Sequence, residues 1–284
     1  PGTDGLADTV YGGDLHGNIW KFDLRDNSVA AEPLFTATDG EGNRQPITGG
    51  MEVAAGPGNG VMIYFGTGSF AFQNDGVDSS MQSLYGILDS GSSVGGRENL
   101  REQTITDSGD VDIRNVSTNS VSFVDLSGWF IDLAVTMDGN QFANGERFVG
   151  TPRLSEGTIF FPTFEPGGSD AQSDPCAPGG KNWLYALNAL NGGAAMSGLR
   201  LGSRDADPLA EGSGAVALTQ AGSTPVREVA VALVPQLNTV GPGATAEEIA
   251  AALEETCDKV ITAAGGFVAY QARACGRQSW RQIR

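Results

Sequence analysis

The sequence has 284 residues, a formal net charge of -17 and an isoelectric point near 4.3. A field of this sign repels phosphate backbones and anionic membrane surfaces and attracts divalent cations, which argues against nucleic acid as a partner. Hydrophobic residues make up 40% of the chain, and its 41 glycines and 13 prolines are typical of many turns between short strands. The composition therefore favours an all-β fold over a helical bundle.

The stretch Thr9–Leu24 is predicted as two short strands around a tight turn. In the second strand, Trp20 and Phe22 fall on one face and Ile19 falls on the other. This period of two predicts a half-buried antiparallel strand. We expect Trp20 to lie in the core or at a contact between sheets, and we expect the same of Trp183 in a later strand.

Eight further segments are short, apolar or alternating, and bounded by Gly, Pro, Asp or Asn. They are Val61–Gly68, Ser83–Asp89, Gly128–Leu133, Thr158–Phe164, Asn182–Asn188, Glu228–Val234, Lys259–Ala264 and Phe267–Ala272. Such a succession predicts an antiparallel sandwich, barrel or propeller. An aromatic residue followed by Asp or Asn recurs at the strand ends and favours the propeller, although the spacing is uneven for a strict repeat.

Polar stretches between these strands, including Thr106–Asn119 and Gly202–Gly214, are predicted as loops. No shift in composition marks a domain boundary, so residues 1–284 are interpreted as one propeller region. Since the chain opens abruptly at Pro1 without an initiating Met, we expect it to be a fragment of a larger propeller domain.

One short helix is predicted at Thr245–Thr256, where Thr245 and Glu248 form a capping box. Its apolar residues Ile249 and Leu253 are four apart and would pack against the outside of the sheets. The longest apolar candidate for a membrane span, Val226–Leu237, is interrupted by charged residues and is too short.

The three cysteines lack the C-x-x-C spacing of a zinc or redox site, and the single histidine, His16, does not supply the missing ligands. Cys257 and Cys275 lie near each other in the C-terminal segment and could form a disulfide in an oxidising compartment, which leaves Cys176 free or paired elsewhere. The alternative that all three are buried thiols stays open.

The segment Ala7–Leu24 reads ADTVYGGDLHGNIWKFDL and resembles the signature of the PilY family of type IV pilus tip adhesins. Further landmarks follow in the family's order. They include Gln45–Thr48, Tyr64–Gly68, Gln82–Asp89, Gly128–Trp129, Asp132–Leu133, Gly145–Arg147, Cys176, Gly179–Gly180, Trp183–Leu184 and Gly276–Gln282. The resemblance implies a modified, quinoprotein-like β-propeller in the C-terminal part of a pilus-associated protein.

The same resemblance implies export through the periplasm of a Gram-negative bacterium to the fimbrium at the cell surface. It implies roles in pilus extension and retraction, twitching motility and surface adhesion, with bound calcium as a regulator. The expected partners are minor pilins at the pilus tip and a host or abiotic surface. The oxidising compartment that it implies also favours the disulfide between Cys257 and Cys275.

A quinoprotein-like propeller also suggests an alternative, a quinone-dependent dehydrogenase that uses calcium as a Lewis acid. The resemblance to such enzymes implies a disulfide between adjacent cysteines, and no two cysteines are adjacent here. The only imidazole, that of His16, lies in the predicted turn, and paired carboxylates lie in polar contexts typical of solvated surfaces. We therefore predict no catalytic residues and a binding or pilus-capping module.

The segment Asp4-Gly5-Leu6-Ala7-Asp8 is similar to the second half of an EF-hand-like calcium loop. We predict calcium ligation by the Asp4 and Asp8 carboxylates and the Leu6 backbone carbonyl, with a first ligand before Pro1. The alternative is an Asp-Gly turn in which Asp8 only fixes the start of a strand. If this segment does not bind the ion, the loop with Asp75 and Asp78 is the next candidate.

Overall fold

The computed structural model describes residues 7–25, 28–29, 32–167, 179–219, 224–235, 243, 245 and 256–274. This part of the chain forms nineteen strands. They are β1 (Thr9–Gly13), β2 (Asn18–Asp23), β3 (Ser28–Val29), β4 (Phe35–Thr36), β5 (Glu52–Ala55), β6 (Val61–Gly66), β7 (Ser83–Asp89), β8 (Arg101–Asp107), β9 (Ile113–Val116), β10 (Gly128–Met137), β11 (Asn140–Phe142), β12 (Arg153–Ser155), β13 (Thr158–Glu165), β14 (Lys181–Asn188), β15 (Arg200–Leu201), β16 (Ser213–Ala217), β17 (Val229–Pro235), β18 (Thr256–Ala263) and β19 (Phe267–Ala274).

Helical structure within the described residues is limited to single 3-10 turns at Pro57–Asn59, Arg97–Asn99 and Ala264–Gly266. No helix in this part of the chain is long and apolar enough to span a membrane. The predicted helix Thr245–Thr256 lies almost entirely outside the described residues. Its last residue, Thr256, begins strand β18 instead.

The nineteen strands form three sheets, and sixteen of these strands make up four units of four. The first sheet contains β1, β2, β3 and β4, and the last has the order β15-β19-β18-β17. The central sheet has eleven strands, and each of its ends is an antiparallel unit of four, β5-β6-β7-β10 and β12-β13-β14-β16. The β8–β9 hairpin joins these two units because β8 pairs with β10 and β9 pairs with β16.

All eight later strand predictions are confirmed, and Ser83–Asp89 has the predicted bounds. The loop prediction for Thr106–Asn119 is wrong in part, since β9 and the end of β8 lie within it, and Gly202–Gly214 contains the start of β16. Only Gln103 and Ile105 of β8 are buried, and the other residues of this strand are mostly polar, so its sequence lacks the apolar pattern of a strand. The β8–β10 pair is parallel, whereas antiparallel pairs were expected throughout.

The prediction of a half-buried antiparallel strand is confirmed for β2, and its buried face is the one that carries Ile19. Ile19 is the fully buried residue of this strand and packs with Phe35, whereas Phe22 is exposed. Trp20 is half-buried. Its indole N–H donates to the Asp14 carboxylate at 2.9 Å, which ties the ring to the β1–β2 turn. Trp183 is buried, as predicted.

Trp129 belongs to the largest core cluster of the described residues, where its ring pairs with Tyr64 of one unit of the central sheet and with Phe161 of the other. Its indole N–H donates to the Ala189 carbonyl at 3.0 Å. A Cβ atom at Gly86 or Gly192 would lie 2.4 or 2.5 Å from the ring, so both positions need glycine for this close approach.

Candidate functional site

The predicted calcium segment precedes β1 in the sequence, and β1 is an edge strand of the first sheet. Asp4 and Leu6 lie outside the described residues, and Asp8 is the one predicted ligand that the structure describes. The Asp8 backbone carbonyl accepts a hydrogen bond from the Leu24 N–H at 2.9 Å, which closes the β1–β2 pair. Asp8 also lines a cleft of about 560 Å³ that has Asp89 in its wall.

Asp89 is buried, and both of its oxygens are engaged. One oxygen accepts from the Tyr11 hydroxyl at 2.6 Å and pairs with the Lys21 ammonium at 2.6 Å, while the other accepts from the Gly91 N–H at 2.8 Å. Burial by itself raises the pKa of Asp89, but the bonds from Lys21 and Tyr11 outweigh it and lower the pKa. Asp89 is therefore an ionised group whose charge Lys21 already neutralises.

The structure groups no three His, Cys, Asp or Glu side chains as a metal site among the residues that it describes. A cation at Asp8 would take its other ligands from the preceding segment. The calcium prediction at Asp4, Leu6 and Asp8 thus stays a prediction.

Asp14 organises the turn between β1 and β2. Its carboxylate accepts from the backbone N–H groups of His16 and Asn18 at 2.8 and 2.9 Å. The Asn18 amide and the Trp20 indole N–H also donate to it, each at 2.9 Å. Burial raises the pKa of Asp14, but these bonds outweigh it and bring the pKa to about 2. His16 thus lies in a turn, as predicted.

The loop Ser69–Ser80 is held from inside by Arg147, which is almost fully buried. The Arg147 guanidinium donates to the backbone carbonyls of Ser69 at 2.9 Å and Asp75 at 2.6 Å, and to that of Asp78. It also donates to the Gly145 carbonyl at 2.8 Å. A single side chain therefore satisfies three carbonyls along one loop.

The Asp75 carboxylate completes this loop. It accepts from the Ser69 hydroxyl at 2.7 Å and from the N–H groups of Ala71 and Phe72 at 2.8 and 2.9 Å. Burial raises the pKa of Asp75, but these hydrogen bonds and the nearby Arg147 charge lower it overall. In the loop that is the second calcium candidate, the Arg147 guanidinium thus bonds the backbone carbonyls of both Asp75 and Asp78.

A second buried arginine, Arg114, belongs to β9 of the β8–β9 hairpin. Its guanidinium donates to the Glu146 carboxylate and, at 2.7 Å, to the Tyr185 hydroxyl. It lies 3.6 Å from the centroid of the Trp183 ring, and a Glu165 carboxylate oxygen is 3.5 Å away. Burial and the neighbouring Glu146 charge raise the pKa of Glu165 above its usual value.

Sequence reasoning missed both arginines. Gly145-Glu146-Arg147 was noted as a family landmark, but nothing local in the sequence indicates that Arg147 contacts a loop some seventy residues earlier. The available signal was the position of a charged pair directly before the buried Phe148 and Val149. A charged side chain next to a buried strand is usually paired.

The predicted disulfide lies largely outside the described residues, which include neither Cys275 nor Cys176. The backbone of Cys257 lies in β18, opposite Arg273 of β19. The pairing with Cys275 stays a prediction, and peptide mapping under non-reducing conditions would test it.

The four antiparallel units of four strands define the class of the molecule, an all-β propeller protein. A solved structure, the Pseudomonas aeruginosa PilY1 C-terminal domain, has a TM-score of 0.67 and 22% sequence identity, covering 94% of this chain and 58% of that one. The family model for the PilY1 beta-propeller domain matches residues 2–118. The propeller prediction is therefore confirmed.

A Type IV pilus biogenesis factor PilY1 homolog of Xylella fastidiosa is 40% identical over 99% of this chain and 20% of its own length. The Type IV pilus biogenesis factor PilY1 of Pseudomonas aeruginosa strain PAO1 is 31% identical over 67% of this chain and 20% of its own length. The chain belongs to the PilY1 family of type IV pilus biogenesis factors. It spans about a fifth of the length of these curated relatives.

Proposed function

We propose that this chain is the propeller part of a type IV pilus biogenesis factor that acts at the fimbrium on the bacterial surface. Its roles would be in pilus extension and retraction, twitching motility and surface adhesion, with minor pilins and a host or abiotic surface as partners. The observation that supports this function is the 40% identity to a curated PilY1 homolog over 99% of the chain. Relatives named as biogenesis factors also support a non-enzymatic role.

The scaffold suits a binding role for a physical reason. Exposed loops on a rigid sheet framework are well placed to contact partners. The Ser69–Ser80 loop is one example, because Arg147 and Asp75 fix its backbone while Phe72 stays exposed. Partner recognition by such a loop loses little conformational entropy on binding.

Deletion and complementation in the source bacterium test this function. We expect deletion of the gene to reduce surface pili and twitching and to lower attachment, and the full-length gene to restore all three. Loss of attachment with pili still assembled would favour the adhesive role, whereas loss of the pili would favour the assembly role. Normal pili, twitching and attachment in the deletion strain would contradict the proposal.

We further propose that the cofactor is calcium, bound by Asp4, the Leu6 carbonyl and Asp8. The net charge of -17, the Asp-Gly-x-x-Asp spacing and the place of Asp8 at the rim of a cleft support the proposal. Asp8→Ala and Asp4→Ala in the full-length protein should each weaken calcium binding at least about tenfold in a calorimetric titration.

The matched control is Asp78→Ala in the Ser69–Ser80 loop. Its carboxylate bonds only within the loop, to the N–H and hydroxyl of Ser80 at 2.9 Å each. This variant should keep the affinity of the parent. If Asp78→Ala abolished binding and Asp8→Ala did not, the ion would lie in that loop and the assignment to Asp8 would be wrong.

A further inference from the structure

A cleft of about 280 Å³ opens between the β8–β9 turn and the β10–β11 hairpin. Most of its lining is apolar. The apolar residues are Val111, Ile113, Val135, Met137, Phe142 and Trp183. Met137 is 48% exposed and Phe142 is 52% exposed, and Val111 is more exposed than either. Exposed apolar side chains grouped around a concave surface are typical of an interaction site. This surface is called the hairpin cleft below.

The floor of the hairpin cleft is rigid. Trp183 is buried, its indole N–H lies 3.3 Å from a Glu165 oxygen, and two cations lie against its ring. These are the Arg114 guanidinium at 3.6 Å and the Lys181 ammonium at 4.3 Å from the ring centroid. Since cations already occupy the π-system, the indole does not offer a free face for stacking of a sugar or a base.

The rim of the hairpin cleft is negative. Asp107 and Asp110 line it, are exposed, and form no ion pair with any residue in the described part of the chain. Each uses one oxygen to accept a backbone N–H within the turn, at 2.9 Å. Of the two cations at the Trp183 ring, Arg114 is neutralised by Glu146 and Lys181 pairs with Asp112. The uncompensated charge at this surface is therefore that of two carboxylates.

We infer that the hairpin cleft binds a peptide segment of another protein in which a lysine or arginine is next to an aliphatic side chain. The aliphatic group packs between Met137 and Phe142, and the cation lies against Asp107 and Asp110. The cleft is slightly smaller than the roughly 300 to 1,000 Å³ of small-molecule pockets, which suits a single anchoring side chain. Contact of this size is weak and salt-dependent. The inference rests on the cleft alone and not on the proposed pilus function.

Three fluorescein-labelled heptapeptides test this inference by anisotropy, with central sequences Leu-Lys-Leu, Leu-Glu-Leu and Ser-Lys-Ser between Gly-Ser ends. We expect the 284-residue chain to bind the Leu-Lys-Leu peptide most tightly. Phe142→Ser and Met137→Ser should each weaken this binding about fivefold to tenfold. The double variant D107N/D110N should weaken it similarly and should remove most of its salt dependence.

Two controls match these changes elsewhere on the surface. Val124→Ser removes an apolar side chain that is 94% exposed, and D205N/E211Q removes two exposed acidic charges. Both should leave the affinity unchanged, and thermal melts should show that every variant is folded. Equal binding of the Leu-Glu-Leu or Ser-Lys-Ser peptide would overturn the inference, as would unchanged binding in Phe142→Ser. Sedimentation as a dimer that Phe142→Ser abolishes would assign the cleft to a second copy and would also overturn it.

Discussion

Arg147 and Arg114 are both buried, but the groups that accept their hydrogen bonds differ. Arg147 donates to backbone carbonyls of the Ser69–Ser80 loop, and its own charge faces the carboxylates only at a distance. Arg114 pairs directly with Glu146 and has Glu165 close by. The Arg147 bonds fix the path of a loop, whereas the Arg114–Glu146 pair neutralises a buried charge beneath the hairpin cleft.

The difference teaches how the same residue type serves two purposes. Carbonyls have no titratable proton, so the Arg147 bonds do not themselves depend on the ionisation of their acceptors. The Arg114 cluster contains two carboxylates near one guanidinium, and Glu165 has a raised pKa because of burial and the Glu146 charge. We therefore expect changes at Arg147 to act on local order and changes around Arg114 to act on global stability and its pH dependence.

The largest effect is expected for Glu146→Gln, which removes the charge that neutralises Arg114. The free energy of unfolding should fall by about 3 kcal/mol, at the low end of the values for breaking a buried ion pair, because the amide still accepts a hydrogen bond. Urea unfolding measures this loss. Glu211→Gln, at an exposed position, is the control and should change stability little. A loss below about 1 kcal/mol at Glu146 would show that Glu165 replaces it as the partner of Arg114.

A smaller and more local effect is expected for Arg147→Gln. Several loop carbonyls lose their donor, and water can replace part of the bonding at the surface, so we expect a loss of about 2 kcal/mol. The loop should open before the core does, which limited proteolysis would detect as early cleavage between Phe70 and Ser80. The exposed Arg153→Gln provides the matched control. Cleavage of both variants at the same rate would mean that Arg147 does not hold the loop.

The smallest effect on the free energy of unfolding is expected for Glu165→Gln. This substitution should stabilise the chain, whereas the two above destabilise it. The folded chain raises the pKa of Glu165 above the unfolded value, so ionisation disfavours folding at a pH above the raised pKa. This cost disappears as the pH falls through the raised pKa towards about 4. Glu165→Gln should therefore stabilise the chain at pH 7, by less than about 1 kcal/mol because the carboxylate is partly exposed.

Urea unfolding at several pH values between 7 and 4 checks this sign. The two proteins should converge in stability at the acidic end. A variant that is less stable than the parent at pH 7 would show that Glu165 is needed as an ionised partner of Arg114. Glu211→Gln again serves as the exposed comparison.

The apolar strands could be predicted from the sequence because their residues are buried on both faces. Ser83–Asp89 is buried along its whole length, and its predicted bounds match those of the structure. The β8–β9 hairpin could not be predicted because its sequence is mostly polar. Its two segments are strands because they pair with the distant strands β10 and β16. Period two shows that Ile19 and Trp20 lie on opposite faces of β2, but the face that is buried depends on the packing of Ile19 with Phe35, which the period cannot indicate.

The candidate sites also differ in whether a local sequence pattern could predict them. Asp8 was singled out from an Asp-Gly spacing that is local in the sequence. The roles of Arg147 and Arg114 depend on contacts between residues thirty to eighty positions apart. The sequence alone offers the Asp75–Asp78 loop as the second calcium candidate, and only the fold shows that a guanidinium lies at its carbonyls.

The β8–β9 hairpin also sets an order of events during folding. β9 pairs with β16 at Ile113 and Val216, about a hundred residues apart along the chain. The backbone edge of β9 that β16 covers therefore stays unpaired until the second unit of the central sheet has been made. Pairings of this range form slowly, and an open strand edge can pair with another molecule in the meantime. Arg114, the charged residue of β9, makes such pairing less favourable before β16 is in place.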